Sequence, residues 1–372
     1  MADTNTKAPS QSAAILYDFM QVRGGAEAVT LGLCEHFPEL QLITAFVNQS
    51  AFPKSPISKE RITTLAHPTT LQGWQTIQGC TAFRLRTRFL GQYETLIFSG
   101  AYAPLAIHNS QAAQNIYYCH TPPRFVNDLK DYYLKTIPQW QRPLLKALIR
   151  WYQPQYEAAL QKMDVVYANS VNTQQRLRRF MGIESSVLYP PCDLEGYQFV
   201  SHGDYYLSTA RLEPYKRVDV IVEAFKRMPH KKLIVTSGGS QLQNLKALAA
   251  GATNIRFTDW VTKKKLQDLV GNCLATIYIP KDEDFGISPV QSMAAGKPVI
   301  GVNEGGVAET VQHEQTGYLL DTDPSADELV HCIEGLSNTA LADQRHACEG
   351  RAQRFDSHQF YEQFGQHLNK VQ

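Results

Sequence analysis

Short apolar runs rich in Val, Ile, Tyr and Phe alternate along this chain with segments whose apolar residues recur at helical spacing. The apolar runs predict strands at 13–17, 40–46, 95–100, 115–119, 165–170, 205–210, 231–237, 275–280 and 298–302. The segments between them predict helices at 25–36, 140–162, 172–181, 217–228, 240–250, 263–271, 325–336 and 356–370. Regular alternation of strand and helix predicts an α/β fold in which helices cover both faces of a parallel sheet.

The alternating pattern starts again near residue 200, after the turn-rich segment YPPCDLEGY at 189–197. A chain of 372 residues is long enough for two domains. We therefore predict doubly wound domains at 13–198 and 199–355, a disordered lead-in at 1–12, and a C-terminal helix within 356–372 that crosses back to the first domain. Ligands of such sheets bind beyond the carboxyl ends of the strands, so the residues that follow each strand are candidates for a site.

The composition of the chain limits the class of protein and its cellular compartment. A hydrophobic content of 43% supports a large core, and a net charge of +1 argues against nucleic acid as a partner. Seven scattered cysteines without a CxxC pair are typical of reduced thiols in the cytoplasm. The chain lacks both a signal-peptide pattern and an apolar run of roughly 20 residues. We therefore expect a cytoplasmic protein, soluble or in peripheral contact with the cytoplasmic face of a membrane.

The segment EDFGISPVQSMAAGKPVIGV at 283–302 is the most informative part of the chain. It places the carboxylate of Glu283 just before a short predicted helix, for which Ser288 would be the N-cap, Pro289 the first residue and Gly296 the end. A bend at 305–306 and an acidic turn at Glu309 would follow the next strand. A carboxylate can hold sugar hydroxyls and a helix N-terminus can hold phosphate, so this segment favours a phosphorylated sugar as ligand.

A basic loop follows the strand at 205–210. Arg211 and Lys216 lie five residues apart, at the start of a predicted helix, so both side chains can reach one diphosphate. A solvated basic turn is the alternative. Arg217 is interpreted as a solvated residue of the helix surface.

Two further candidates follow strands of the first domain. Gly24 and Gly25, preceded by Arg23, open a helix and would allow close approach of backbone N–H groups to an anion, although an ordinary glycine turn would look the same. His120 follows the strand at 115–119, where it can contact a reacting sugar or serve as a packed structural histidine.

Gln291 and the acidic run at 282–284 each allow a second interpretation. Ser288-x-x-Gln291 fits a capping box, which would give Gln291 a purely structural role. The run Asp282-Glu283-Asp284 matches the D-x-D of metal-dependent transferases, but its position before Phe-Gly and a helix favours a role without metal.

A group of basic residues in the first domain forms a candidate acceptor or membrane patch. Arg84, Arg86 and Arg88 alternate with apolar residues, and Arg142, Lys146 and Arg150 share one helix face. Trp140, Leu144, Leu148 and Trp151 lie nearby in the sequence. The alternative is the solvated face of an ordinary core helix.

Taken in order, these segments resemble the retaining glycosyltransferases of family 4. The resemblance covers about 13–325 with gaps and is densest at 205–320. Its motifs are the Gly24-Gly25 turn, HTP at 120–122, ANS at 168–170, STAR…YKR at 208–217, EDFGISPVQSMAAGKPVI at 283–300, GG…E at 305–309 and TGYLL at 316–320. The resemblance implies the GT-B fold, in which two Rossmann-like domains face each other across a cleft. The first domain would lie on the acceptor side, and the second would bind the nucleotide sugar. YCHTPPRFVNDL with EDFGISPV is similar to a subgroup that assembles bacterial surface polysaccharides, often from GDP-mannose.

The resemblance also implies roles for matching residues. Arg211 and Lys216 would clamp the donor diphosphate, Glu283 would hold sugar hydroxyls, and His120 would contact the transferred sugar. The remaining donor-binding positions would be Gly24, Gly25, Ser237, Gly238, Trp260, Val261, Phe285, Gly286, Ile287 and Gln291. Gln291 stands where the family usually has the second Glu of E-x7-E, which binds ribose, and IVTSGGS at 234–240 departs from the usual Gly-Asp-Gly. These departures bear on the choice of nucleotide.

The expected reaction is transfer of a hexose, with mannose from GDP-mannose as the best candidate, to a glycan or a polyprenyl-diphosphate-linked acceptor. The family's usual mechanism is front-face attack with retention, which would need no metal and no other cofactor and would depend on stabilising the departing diphosphate. Two alternatives belong to other classes. A nucleotide-sugar-binding pseudoenzyme or scaffold has only Gln291 in its favour. A dinucleotide-dependent oxidoreductase would need a GxGxxG motif directly after a strand, and none of the predicted strands is followed by one.

Overall fold

The computed structural model describes residues 11–21, 24–52, 57–69 and 74–368. The described residues fall into two compact units, one formed by residues up to Pro190 together with those from His358 onward, the other by Pro191–Ser357. These breaks differ from the predicted ones at 198/199 and 355/356. Tyr197 packs in the core of the second unit and Cys192 forms a parallel bridge with Asp356, so the segment after 190 belongs with that unit.

The first unit is built on a parallel sheet. Its strands are β1 (Gln11–Tyr17), β2 (Gln41–Thr44), β3 (Ile62–Thr64), β4 (Tyr93–Ser99), β5 (Gln114–Cys119), β6 (Val165–Ala168) and β7 (Ser186–Val187). Their spatial order is β3-β2-β1-β4-β5-β6-β7, so the direction of winding reverses between β1 and β4. Tyr17 of β1 pairs with Ser99 of β4 at this reversal.

Helices pack on both faces of this sheet because alternate strand residues are apolar on each face. In β1, Ala14 and Leu16 belong to one core cluster, whereas Ile15 and Tyr17 belong to the other. The helices before residue 190 are α1 (Gly25–His36), α2 (Trp74–Leu85), α3 (Lys130–Thr136), α4 (Arg142–Leu160) and α5 (Val171–Met181). Short 3₁₀ turns occur at Lys59–Arg61, Arg88–Gln92, Ala103–Asn109 and Gln139–Gln141.

The second unit repeats the design with a second parallel sheet. Its strands are β8 (Tyr205–Ser208), β9 (Lys232–Val235), β10 (Ile255–Phe257), β11 (Thr276–Tyr278), β12 (Val299–Val302) and β13 (Gly317–Leu320). Their order is β10-β9-β8-β11-β12-β13, so winding reverses between β8 and β11. The predicted α/β class with doubly wound parallel sheets is confirmed.

The helices of the second unit alternate with these strands. They are α6 (Val218–Arg227), α7 (Leu242–Leu248), α8 (Lys263–Gly271), α9 (Ile287–Ala294), α10 (Gly305–Thr310), α11 (Ala326–Gly335), α12 (Asn338–Asp343) and α13 (Arg345–Gln353). A 3₁₀ turn at Pro214–Lys216 precedes α6.

The last helix, α14 (Ser357–Leu368), packs in the first unit. Phe360 and Phe364 are fully buried in the core cluster that includes Ile15 of β1. His367 lies within hydrogen-bond distance of two residues of the sheet, 2.9 Å from the side-chain nitrogen of Gln114 and 2.8 Å from the hydroxyl of Tyr167. The end of the chain therefore completes the core that its beginning starts.

Several elements differ from the predicted ones. The lead-in predicted at 1–12 is too long, because Gln11 and Ser12 already belong to β1; residues 1–10 lie outside the described part. The strands β3, β7, β10 and β13 and the helices α2, α3, α12 and α13 were not predicted. Strands of two to four residues carry too few residues for a periodic pattern to stand out.

The cysteines are mostly buried. The seven cysteines are free; Cys332 is half-buried and the other six are buried. Burial raises the pKa of Cys34, Cys80 and Cys348 to about 12. Within the described ranges, no helix is both long and apolar enough to cross a membrane.

Candidate active site

The predicted acidic and basic residues of the second unit meet at the point where its sheet changes winding direction. Lys216 lies after β8 and Glu283 after β11, and these two strands are neighbours, with Ser208 paired to Ile277. In open α/β sheets this is the place where a crevice for ligands forms. The geometry therefore brings together two side chains that are 67 residues apart in the chain.

Lys216 and Glu283 form a direct ion pair. The ammonium of Lys216 donates to Glu283 Oε2, and Nζ also lies 3.4 Å from the hydroxyl of Tyr278, the last residue of β11. Burial acts to lower the pKa of Lys216, but the oxygens of Tyr278 and Glu283 more than offset it, so the pKa lies above the ordinary value of a lysine. Lys216 therefore keeps its positive charge at any physiological pH. Tyr278 was not predicted, because the predicted strand at 275–280 continues past it, whereas the observed strand ends there.

The backbone of Glu283 is supported by two glycines. The N–H of Gly306 donates to the Glu283 carbonyl at 2.7 Å. A Cβ on Gly305 would lie 2.5 Å from that carbonyl oxygen, and a Cβ on Gly306 would lie 2.3 Å from the Cα of Phe285. The predicted bend at 305–306 followed by a turn at Glu309 is wrong, because these residues form α10. Glycine is required here because backbone packs directly on backbone.

Helix α9 starts earlier than predicted. Its N-cap is Gly286 in the left-handed conformation (φ 89°), and Ile287 is its first residue, so the prediction of Ser288 as N-cap is wrong. The capping box between Ser288 and Gln291 is therefore excluded, and half-buried Gln291 is left without that structural explanation. The end of the helix agrees with the prediction, since Gly296 has φ 65° just after the C-cap.

The basic loop separates into three different environments. Arg211 is exposed and Lys216 is buried. Arg217, which was predicted to be solvated, is also buried: its Nη1 donates to Glu304 at 2.6 Å and its Nη2 lies 3.1 Å from Asp323. That prediction is wrong because the left-handed backbone of Arg217 (φ 51°) turns the side chain inward.

The predicted nucleotide pocket lies on neighbouring loops. The N–H of Leu212 donates to the Gly238 carbonyl at 3.0 Å, which fixes the 237–241 loop against the basic loop. Ser237 is buried with φ 82°, and a Cβ on Gly238 would lie 2.4 Å from Nε1 of Trp260. The indole of Trp260 is 69% exposed and Val261 is half-buried. The structure thus places a flat aromatic surface beside the glycine loop.

His120 of the first unit lies directly after β5, at the carboxyl edge of the sheet. Its ring contacts Tyr118 and Tyr17 edge-on, with centroids 5.0 and 6.3 Å away. Its Nε2 is covered and has no hydrogen-bond partner among the described residues. Burial lowers the pKa of His120 to about 4, so the ring is neutral at physiological pH.

The Gly24–Gly25 turn lies at the start of α1, with Gly24 as N-cap. Arg23 is outside the described residues. A Cβ on Gly24 would lie 2.6 Å from a carboxylate oxygen of Glu27, so an acidic side chain fills the space beside this glycine. A phosphate bound directly at Gly24 would meet that negative charge, which counts against this part of the prediction.

The winding reversal of the first sheet is occupied by a structural carboxylate that sequence analysis missed. Asp18 follows β1 and accepts the N–H groups of Ala101, Tyr102 and Ala103, at 2.6–2.8 Å, just after β4. Burial raises the pKa of Asp18 to about 6, although these three donors lower it. The same topological position therefore holds a closed hydrogen-bond cluster in the first unit and the Lys216–Glu283 pair in the second.

The basic patch predicted in the first unit is divided. Arg86, Arg88, Lys146 and Arg150 are exposed, whereas Arg84 and Arg142 are half-buried. Among the described residues, no cluster of three or more His, Cys, Asp or Glu side chains could hold a metal ion.

Comparisons with known proteins identify relatives of this chain. The family model "Glycosyl transferases group 1" matches residues 195–355. The chain is similar to "Alpha-1,3/1,6-mannosyltransferase ALG2" of Dictyostelium discoideum, at 35% identity over 133 residues, which are 35% of this chain and 31% of the relative. It is similar to human ALG2 at 25% identity over 297 residues, 69% of this chain and 68% of the relative. The Dictyostelium match thus spans about a third of that relative's length.

The fold is also that of solved glycosyltransferase structures. The Anabaena HepE structure "in complex with UDP and glucose" superposes with a TM-score of 0.71 at 16% identity, covering 96% of this chain and 99% of that one. Residues 195–355 therefore match a group 1 glycosyltransferase domain, the chain is similar to ALG2 mannosyltransferases, and its fold is the GT-B fold of solved glycosyltransferases.

Proposed function

We propose that this protein transfers mannose from GDP-mannose to a hydroxyl of a glycan or a lipid-linked glycan, with retention of configuration, in surface-polysaccharide assembly. The observation that carries the proposal is the buried Lys216–Glu283 pair at the winding reversal of the second sheet. A permanent cation beside a carboxylate suits a ligand with a diphosphate next to sugar hydroxyls. The curated relatives are named mannosyltransferases, which supports mannose as the sugar.

The donor would be held by the loops of the second unit. Exposed Arg211 would swing onto the diphosphate from one side and Lys216 would remain as a fixed charge beneath it. Glu283 would exchange part of its contact with Lys216 for sugar hydroxyls. The exposed indole of Trp260 would stack on the nucleotide base, and Gln291 would offer its amide to the ribose.

Catalysis would depend on stabilising the diphosphate as it leaves. Lys216 and Arg211 would supply the positive charge, and the leaving diphosphate would take the acceptor's proton, so no metal would be required. His120 would contact the transferred sugar as a neutral ring, because burial lowers its pKa to about 4. A neutral imidazole offers one donor and one acceptor to hydroxyls and adds no charge next to the reacting carbon.

The acceptor side of the proposal includes contact with a membrane. The outward face of α4 carries Leu144, Ala147 and Trp151, and Trp140 lies just before the helix in the sequence. The exposed fractions of Trp140, Leu144 and Trp151 are 71%, 65% and 41%. We call these four residues the Trp140 stripe. Exposed Lys146 and Arg150 lie beside it. Tryptophan and leucine flanked by cations suit the interface of an anionic lipid bilayer, where a polyprenyl-linked acceptor would be found.

Co-sedimentation with vesicles tests this surface. The protein should bind vesicles rich in anionic phospholipid more than neutral ones, and Trp140→Ser/Trp151→Ser should lose most of that binding. Val200→Ser, at an exposed apolar residue of the second unit, is the control. Equal binding by the double variant would remove the stripe from the proposal, and concentration-dependent dimerisation that the variant abolishes would assign it to a second copy of the chain.

The donor itself is tested by calorimetry and thermal shift with GDP, UDP and ADP and their hexose conjugates, without metal and again with EDTA. Saturable, EDTA-insensitive binding of GDP and GDP-mannose, followed by turnover with a lipid-linked acceptor, is the expected result. Preference for UDP would change the donor and keep the reaction class. Binding without any turnover would favour the nucleotide-sugar-binding scaffold instead.

A further inference from the structure

Arg217 is a buried arginine whose burial the sequence did not suggest. Its guanidinium contacts three segments of the second unit: Nη1 donates to Glu304 at 2.6 Å, Nη2 lies 3.1 Å from Asp323, and Nη1 lies 3.5 Å from the Ile279 carbonyl. The side chains of Arg217 and Glu304 are only 8% and 14% exposed, whereas Asp323 is largely in solvent. The Arg217–Glu304 pair is therefore the shielded one, and the contact with Asp323 is weak by comparison.

The backbone at Arg217 is held in an uncommon conformation. Its φ of 51° and ψ of 34° lie in the left-handed region, which side chains with a Cβ adopt at a cost in free energy. The residue ends the 3₁₀ turn at Pro214–Lys216 and begins α6. The side chains of Lys216 and Arg217, which follow one another at this turn, are both buried.

The two successive cations reach one acidic segment by different routes. Lys216 pairs with the Glu283 carboxylate. Arg217 pairs with Glu304, the N-cap of α10, whose next residues, Gly305 and Gly306, pack on the backbone of Glu283. The side chain of Glu283 therefore contacts Lys216 directly, and its backbone is connected to Arg217 through α10 and Glu304.

We propose that Arg217 is a positioning residue that fixes the separation between Lys216 and Glu283 through Glu304 and α10. The inference rests on the proposed function, in which Lys216 receives the donor diphosphate and Glu283 the sugar hydroxyls. A donor that bridges these two groups has a fixed length, so a shift of α10 would leave the diphosphate bound and the sugar misplaced.

Arginine suits this task better than lysine. The planar guanidinium presents nitrogens in a fixed fork, so one side chain meets Glu304 and Asp323 while it remains near the Ile279 carbonyl. A lysine at 217 could reach Glu304 with a single point charge but would not fix its orientation. The conservative change should therefore restore part of the function only.

The test compares Arg217→Gly, Arg217→Lys and Glu304→Gln in the full chain. Glycine tolerates the left-handed backbone, so Arg217→Gly removes the guanidinium while the turn keeps its shape. GDP affinity should stay within about threefold, because Lys216 and Arg211 remain, while kcat with GDP-mannose should fall at least about tenfold. Arg217→Lys should lie between, and Glu304→Gln should follow Arg217→Gly.

A double variant shows whether the two residues act as one unit. Arg217→Gly/Glu304→Gln should be no slower than the worse single variant, because both changes break the same contact. The matched control is Arg227→Gln at the end of the same helix α6, which breaks an exposed ion pair with Asp327 of α11 and should leave kcat and KM unchanged.

Three outcomes would overturn the proposal. They are a kcat of the folded Arg217→Gly variant within twofold of the parent, losses that multiply in the double variant, and a fall in GDP affinity as large as the fall in kcat. If Arg217→Gly does not fold, Glu304→Gln decides alone, by its kcat and its GDP affinity. A parent protein that binds no nucleotide would overturn the proposed function and this inference together, which the binding arm shows before any variant is compared.

Discussion

At the scale of the residue, the candidate site depends on how burial and charge act on a few side chains. Lys216 is buried yet remains charged because Glu283 and Tyr278 surround its ammonium. His120 is half-buried, its Nε2 has no hydrogen-bond partner among the described residues, and the ring stays neutral because burial lowers its pKa. Burial acts to lower the pKa of both residues, and at Lys216 the oxygens of Tyr278 and Glu283 more than offset that effect.

Removing the Lys216 ammonium should affect turnover far more than folding. Lys216→Ala takes away the fixed charge proposed to stabilise the leaving diphosphate, and the loss of one such contact lowers kcat by about 10²–10³-fold. Arg211→Ala and Glu283→Ala should act in the same direction. Steady-state kinetics with GDP-mannose measure the effect, and Lys226→Ala, an exposed lysine of α6, is the control. Turnover near the parent's in folded Lys216→Ala would contradict the clamp.

His120 should make the protein less stable in mild acid. Its pKa is about 4 in the folded chain and about 6.5 in the unfolded one, so the unfolded state takes up a proton first as pH falls. Its contribution is complete above pH 6.5 and is lost between pH 6.5 and 4, by up to about 3 kcal/mol. Urea unfolding of His120→Gln should show a flatter pH dependence than the parent. His331→Gln, at an exposed histidine, is the control.

Sequence alone found the charged residues of the second unit but not all of their environments. Arg211, Lys216 and Glu283 were identified because each follows a predicted strand. The burial of Arg217 depends on a positive φ at a non-glycine residue, and local sequence gives no sign of that. The structural role of Asp18 was missed, since its three N–H donors lie more than 80 residues further on.

At the scale of the element, α9 and α10 show where chain patterns mislead. Ser-Pro at 288–289 is a good local start for a helix, yet the helix begins two residues earlier, because Gly286 can adopt φ 89° and Ser288 is already inside it. Gly-Gly at 305–306 normally indicates a turn. Here the pair begins a helix, since only glycine allows α10 to pack on the backbone at 283–285.

A methyl group at Gly306 should therefore disturb both the fold and the site. Its Cβ would lie 2.3 Å from the Cα of Phe285, and backbone cannot move aside as a flexible side chain can. Gly306→Ala should lower the free energy of unfolding by about 1–3 kcal/mol and should also reduce kcat, because Glu283 would be displaced. Thermal unfolding and kinetics measure the two effects. Gly350→Ala, whose Cβ would meet nothing within 4 Å, is the matched control and should not destabilise.

At the scale of the whole molecule, strand and helix alternation correctly predicted the α/β class with doubly wound parallel sheets. The order of strands, with reversals between β1 and β4 and between β8 and β11, could not be read from the pattern, because pairing depends on contacts distant in sequence. The first unit also draws α14 from the far end of the chain, and only the three-dimensional core shows which strands that helix covers.

A substitution at Phe364 tests whether the two units unfold independently. Phe364→Ala removes a fully buried ring from the core shared by α14 and β1, which costs about 3–5 kcal/mol. Hydrogen exchange should quicken in β1, β4 and β5 and remain near the parent's rate in β8, β11 and β12. Equal acceleration in both sheets would show a single cooperative molecule instead. His358→Ala, an exposed position of α14, is the control.

The buried thiols give each unit a built-in reporter of opening. Cys34, Cys80 and Cys119 lie in the core of the first unit, and Cys192, Cys273 and Cys348 lie in the second. A thiol-specific reagent can modify them only in molecules whose surrounding structure has come apart, so labelling rates followed by peptide mass spectrometry would give separate opening free energies for the two halves of the native protein. Addition of a nucleotide sugar should then slow labelling of the second set, which would measure donor binding without an acceptor or a catalytic assay.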